Sequence, residues 1–176
     1  MKKAIILLIV ICLFVSISGC TDSSAPMSVE ETETVSQDVT FYFPDEAVMY
    51  LCPETIKVNA DKDIFLETVV ASIINGPASE DLNPSVFGDV DVLSVESENG
   101  LCTVDLSSEF REFNTGGTTK EVMAIYSIVN TLCALDGIEK VKINIEGEEN
   151  PEFGGHFSLD EPLEFDITLM KQGVKK

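Results

Sequence analysis

Apolar residues recur along this chain at two spacings, every second position and every third or fourth. Val39-Thr-Phe-Tyr-Phe43 alternates, is rich in β-formers and ends at Pro44-Asp45, so it reads as a strand. Val48 to Cys52 followed by Glu54 to Val58 reads as a second strand, with a kink or an edge expected at Pro53. Between Lys62 and Asn75 the period changes. Phe65, Leu66, Val69, Val70, Ile73 and Ile74 make one helical face, Asp61 stands where an N-cap belongs, and Gly76-Pro77 stops the helix. Two strands follow at Val90–Val95 and Leu101–Leu106, joined by Glu98-Asn-Gly100, a hairpin signal because Asn-Gly tolerates positive φ. Ser107–Phe113 predicts a helical turn, with Ser107 or Ser108 as N-cap. Thr119–Leu135 predicts the strongest helix, with Val122, Ile125, Tyr126, Val129, Leu132 and Cys133 as its core stripe. Val141–Ile145 is a clean strand, and Pro162–Leu169 a candidate last one. Interleaved hairpins and helices exclude an all-β sandwich and a doubly wound parallel sheet. They predict an α+β domain: a mixed sheet with two helices packed on one face.

The first residues follow another logic. Two lysines, Lys2 and Lys3, precede an unbroken apolar run from Ala4 to Val15, shorter than the roughly 20 residues of a spanning helix. Ile17-Ser-Gly-Cys20 follows and resembles a lipobox, the prokaryotic lipoprotein signal. In such proteins the cysteine thiol receives a diacylglycerol and becomes the mature N-terminus. The reading is therefore a signal peptide over 1–19 and a lipidated Cys20 that holds the protein on the extracytoplasmic face of the cell membrane, without a spanning helix. A plain secretory signal is the competing reading. Residues 20–38, rich in Ser, Thr, Asp and Glu, predict a solvated acidic tether. A flexible segment of this length spans about 23 Å r.m.s.. A single folded domain is expected over 39–170, with a short tail over 171–176.

Charge narrows the function. The 176 residues hold 31 acidic and 11 basic side chains, a net charge of −20. That balance repels phosphate backbones, which argues against nucleic acid as a partner. The chain has one His and no Trp, so few catalytic options remain. His156, in Gly154-Gly-His-Phe157, reads as part of a glycine-permitted turn, and no GxSxG or HExxH accompanies it. Asp105-Leu-Ser-Ser-Glu-Phe110 reads more simply as a capped helix start than as a serine site. The acidic clusters Glu30-Glu31, Glu146–Glu149 and Asp160-Glu161 read as solvated surface, and no DxDxDG calcium loop appears. Of five cysteines, Cys12 leaves with the leader and Cys20 is lipidated. Cys102 and Cys133 are in phase with apolar neighbours, as buried free thiols or as one bridge; with Cys52 they lack a fourth ligand for a metal. No catalytic residue, cofactor or metal site is assigned.

Several stretches together resemble the GerMN domain of sporulation and spore-germination proteins. They include Val39-Thr-Phe-Tyr-Phe-Pro-Asp45, Asn75-Gly-Pro77, Asn99-Gly100, Cys102-Thr-Val-Asp-Leu-Ser-Ser-Glu-Phe110, Tyr126-Ser-Ile-Val-Asn-Thr-Leu132, Gly137-Ile-Glu-Lys-Val141, Gly154-Gly-His156 and Asp160-Glu-Pro-Leu163. The resemblance covers residues 39–166, and family members are often lipoproteins. It implies a core like that of ring-building motifs, in the order αββαβ from Asp61 to Ile145, with an added N-terminal strand pair. It implies assembly with envelope proteins or self-association, and brings no catalytic residues. Germination proteins of this type can carry two tandem copies, whereas this chain carries one. The reading is a non-enzymatic binding or assembly module on an extracytoplasmic lipoprotein, linked to sporulation or germination. The alternative is an exported wall-associated ligand-binding protein or weak hydrolase.

Overall fold

The computed structural model describes residues 33–114, 117–149, 152–153 and 157–171. The leader, Cys20, Glu30-Glu31 and His156 with its two preceding glycines lie outside the described residues.

An antiparallel pair opens the fold: β1 (Thr34–Pro44) and β2 (Leu51–Asp61). β1 begins within the segment expected to be tether. Apart from half-buried Val35 its first residues are polar and exposed, yet Thr34 to Asp38 pair in register with Asp61 to Lys57. Backbone hydrogen bonding, which needs no apolar side chain, extends the ladder past the hydrophobic segment. Lys57–Asp38 at 2.9 Å and Lys62–Glu33 at 2.8 Å accompany it. Asp45 closes the hairpin by accepting from the N–H groups of Met49 (2.9 Å) and Tyr50 (3.3 Å). Val48 lies in this turn, at φ 54°, and not in a strand. Pro53 sits within continuous β2, opposite Tyr42. Tyr42 sends its own N–H away from β2, to Thr131, so this is a non-hydrogen-bonded pair and the missing proline N–H costs no ladder bond.

A 3-10 turn (Lys62–Ile64) leads into α1 (Phe65–Asn75), whose Val69, Val70 and Ile73 are buried. Asp61 does not cap it. Its carboxylate accepts from the Thr34 hydroxyl at 3.3 Å. β3 (Val92–Glu98) and β4 (Leu101–Leu106) form the expected hairpin, with Asn99 at φ 52° and Gly100 at φ 86°, as a primed turn requires. α2 (Glu109–Phe113) is short, and α3 (Thr118–Cys133) is long. β5 (Lys140–Ile145) then pairs parallel to β4. Two small pairs follow: β6 (Glu152–Phe153) with β7 (Phe157–Ser158), and β8 (Leu163–Glu164) with the start of β5. The expected strand over 162–169 is thus two residues long. Asn130 explains its end: its Nδ2 donates to the Asp166 carbonyl (3.2 Å) and its Oδ1 accepts the Asp166 N–H (2.9 Å), so that backbone is spent on a helix.

The result is α+β, with a mixed sheet in the order β3-β4-β5-β8. α1-β3-β4-α3-β5 is the expected αββαβ core. Cys102, Val104 and Leu106 of β4 and Val141, Ile143 and Ile145 of β5 face the helices and are buried. Each such side chain is worth roughly 1.5–3 kcal/mol of burial. α3 is buried nearly all round, beyond its predicted stripe, because β1 covers its other side. Tyr42 donates its backbone N–H to the buried Thr131 hydroxyl at 3.1 Å, and Tyr42, Leu51, Met123 and Met170 make a second small core there.

Candidate interaction surface

The residues singled out for chemistry are mostly occupied by structure. Ser107 receives the Asp91 N–H on its hydroxyl at 3.0 Å, linking α2's approach to β3's. Ser108 stands at the N-cap of α2 but makes no capping bond with its side chain. Glu146 accepts the Ser108 N–H at 2.9 Å instead, a carboxylate from a distant turn in the cap's place. Hydrogen bonding from Ser107 lowers the Glu109 carboxyl below its ordinary range. Asp105 accepts the Gly147 N–H at 3.0 Å, and Glu148 pairs with Arg111 at 3.5 Å. The run 105–110 is therefore a staple between β4, α2 and the turn after β5. Asp160 contributes its backbone carbonyl, which with that of Leu159 accepts Lys142 Nζ, both at 2.7 Å.

None of the three described cysteines forms a disulfide: Cys52 is half-buried, Cys102 and Cys133 buried. Burial, reinforced by the neighbouring Cys133, pushes the Cys102 thiol up to about 12. Cys133 Sγ donates to the Glu139 carbonyl at 3.4 Å. Among the described residues no group of three or more His, Cys, Asp or Glu side chains is placed to hold a metal ion, and no helix is long and apolar enough to cross a membrane.

What remains unused is a surface. β3 is the outer strand of the four-stranded sheet, and no described strand pairs with its free side. Beside its start lies a groove of about 350 Å³, walled by Ile64, Ala71 and Ile74 on one side and Val90 and Val92 on the other. Ile64, one of its lining residues, and Leu93, next in sequence to Val92, are each 48% exposed. The register shifts between Val92 and Ser94, so Leu93 sits at a bulge. Beyond the bulge the alternation is simple. Val95 packs inward, while Ser94, Glu96 and Glu98 share the outer face with Asp105, Thr103 and Leu101 of β4. A second, smaller apolar pocket of about 120 Å³ lies between Pro44, Pro84, Phe87 and Met123. Asn114 holds its rim: Oδ1 accepts the Phe87 N–H at 2.7 Å and Nδ2 donates to the carbonyls of Phe87 and Phe110, both at 3.0 Å. Hydrophobic periodicity had no means of finding Asn114, whose contact partner lies 27 positions away.

An αββαβ core with an added strand pair and an open sheet edge defines a ring-building-like α+β module. The chain belongs to the Germane family, described as sporulation and spore germination, whose model matches residues 40–151. Solved structures agree on the fold. A Clostridium perfringens chain described as a lipoprotein is 23% identical, with a TM-score of 0.53, over 73% of this chain and 87% of that one. The first GerMN domain of the Bacillus subtilis sporulation protein GerM gives 19% identity and a TM-score of 0.58, over 75% of this chain and 98% of that domain. The tandem GerMN domains of the same protein give 17% and 0.60, over 81% of this chain and 49% of the tandem chain. The chain thus spans about half of that two-domain protein. Among curated proteins none matches.

Proposed function

We propose that this protein is an extracytoplasmic lipoprotein, anchored through a diacylated Cys20, whose Germane domain works by binding other envelope proteins and not by catalysis. Its setting is sporulation or spore germination, as the family's description suggests. The observation that carries the reading is the open β3 edge with an apolar groove beside it, on a domain whose Ser107, Asp105, Glu146 and Glu148 are spent on internal bonds. The lipobox-like Ile17-Ser-Gly-Cys20 supports the anchor. An acidic segment between the anchor and β1 fits a domain held off the lipid surface.

Two measurements test it. Cys20→Ala should release the protein from membranes or leave the leader uncleaved; processing and retention like those of wild type would remove the anchor. In-cell cross-linking from positions on the β3 edge should recover envelope proteins. A hydrolytic activity on wall glycan that one carboxylate substitution abolishes would replace the binding reading with the enzymatic one.

A further inference from the structure

Resting on that binding reading, we infer that the β3 edge takes a basic, extended segment of a partner polypeptide as an added strand, and that it discriminates against a second copy of this chain. The edge supplies a row of unpaired backbone groups, which an extended segment satisfies whatever its sequence. Side-chain chemistry then selects the segment. An added strand continues the alternation of β3. Its inward residues face the side of the sheet on which α1 packs, toward the groove and its Ile64, Ala71 and Ile74. These positions call for aliphatic side chains. Its outward residues lie beside Glu96 and Glu98, both exposed.

Charge sets the rest. Glu67 and Asp91 line the groove, and Asp63 and Asp89 flank it. With Glu96 and Glu98 these make six carboxylates, and none belongs to an ion pair among the described residues. The nearest cation in sequence, Lys62, is already bound to Glu33 at 2.8 Å. No Lys or Arg lines the groove. An incoming strand with Lys or Arg at its outward positions gains opposite-charge neighbours, while one with acids is repelled. The same rule bears on self-pairing. Two copies of β3 set side by side bring Glu96 and Glu98 of one against those of the other, on chains that each carry −20.

The test uses the full chain in detergent and a fluorescent peptide of β3's length that alternates valine and lysine. Saturable binding is expected, falling as salt rises, with slowed hydrogen exchange at β3 amides that do not bond to β4. The counterpart peptide alternating valine and glutamate should not bind. The double variant Glu96→Lys, Glu98→Lys should weaken the lysine peptide about tenfold and leave α3 exchange protection intact. Ile64→Ser should weaken it severalfold at unchanged salt dependence. Absence of saturable binding, equal binding of the glutamate peptide, protection at another face, or an edge already protected in the free chain each overturns the inference. So does concentration-dependent protection of β3 without peptide, which means self-pairing. A cellular partner cross-linked at another face overturns strand addition but leaves the envelope-binding reading standing. Peptide capture at β3 with no envelope partner in cells does the reverse.

Discussion

Replacing Asn114 by Ala removes one side chain and strands three backbone groups. The residue is 1% exposed, and its amide serves the Phe87 N–H, the Phe87 carbonyl and the Phe110 carbonyl, at 2.7, 3.0 and 3.0 Å. A typical internal hydrogen bond contributes about 1 kcal/mol net, and a buried group left without one costs about 1–3 kcal/mol. Part of this loop is half-exposed, so water recovers some of the loss, and the working figure is about 3 kcal/mol. Against a domain stability of about 5–15 kcal/mol that is a large share. For a domain of this size it lowers Tm by roughly 10 °C. Asn114→Asp sharpens the argument. It keeps the acceptor for Phe87 but sets a carboxylate against two carbonyls, which raises its folded pKa above the unfolded value of about 3.9. Stability relative to wild type is then greatest below that unfolded value and falls as pH rises through the folded one. Urea titrations at pH 4.5 and 7.5 should show the gap to wild type widening with pH. An Ala variant within about 1 kcal/mol of wild type, or an Asp variant with a pH-independent deficit, refutes the reasoning.

Other outcomes follow from the same geometry. Gly88 has φ +88°, and a Cβ there lies 2.5 Å from Phe113 Cδ2, so Gly88→Ala should cost about 1–3 kcal/mol in denaturant melts; adding Phe113→Ala should recover the steric part and not the backbone part. A short alkylation pulse on the native protein, read by mass spectrometry, should label half-buried Cys52 well before Cys102, whose thiol sits at about 12. Equal labelling would contradict the packing. The Lys140 hydrogen bond holds the Glu164 carboxyl below the ordinary carboxylate range. Its contribution to stability is present above the unfolded pKa and lost as pH falls through the lowered one; in Lys140→Gln the Glu164 carboxyl, followed by NMR, should return to the ordinary range.

Long periodic segments carried the fold. The stripe Val69, Val70, Ile73 announced α1, and Asn99-Gly100 announced the hairpin, because each signal is local and has one steric reading. Errors fell where a distant group decided the outcome. Asp61 looked like a cap, but the ladder placed Thr34 opposite it. Ser108 looked like a cap too, and Glu146 took its N–H from 38 positions away. Residues 34–38 looked like tether since they are mostly polar, yet they pair in register with Lys57 to Asp61, 19 or more positions away. The interaction surface was legible only as a class. An exposed edge is a property of sheet order, and the alternation within β3 says which residues share a face but not that no strand stands beside them.

The cover that β1 lays over α3 also sets the order in which this protein matures. Tyr42 and Thr131 are 89 positions apart, so β1's aromatic residues are synthesised long before the helix that shields them. During that interval Phe41, Tyr42 and Phe43, all buried in the finished fold, lack the helix that covers them. Closure waits on a contact of high sequence separation, the kind that slows folding. The rate of that closure, as well as the final stability, therefore bears on how much of this protein reaches its folded form.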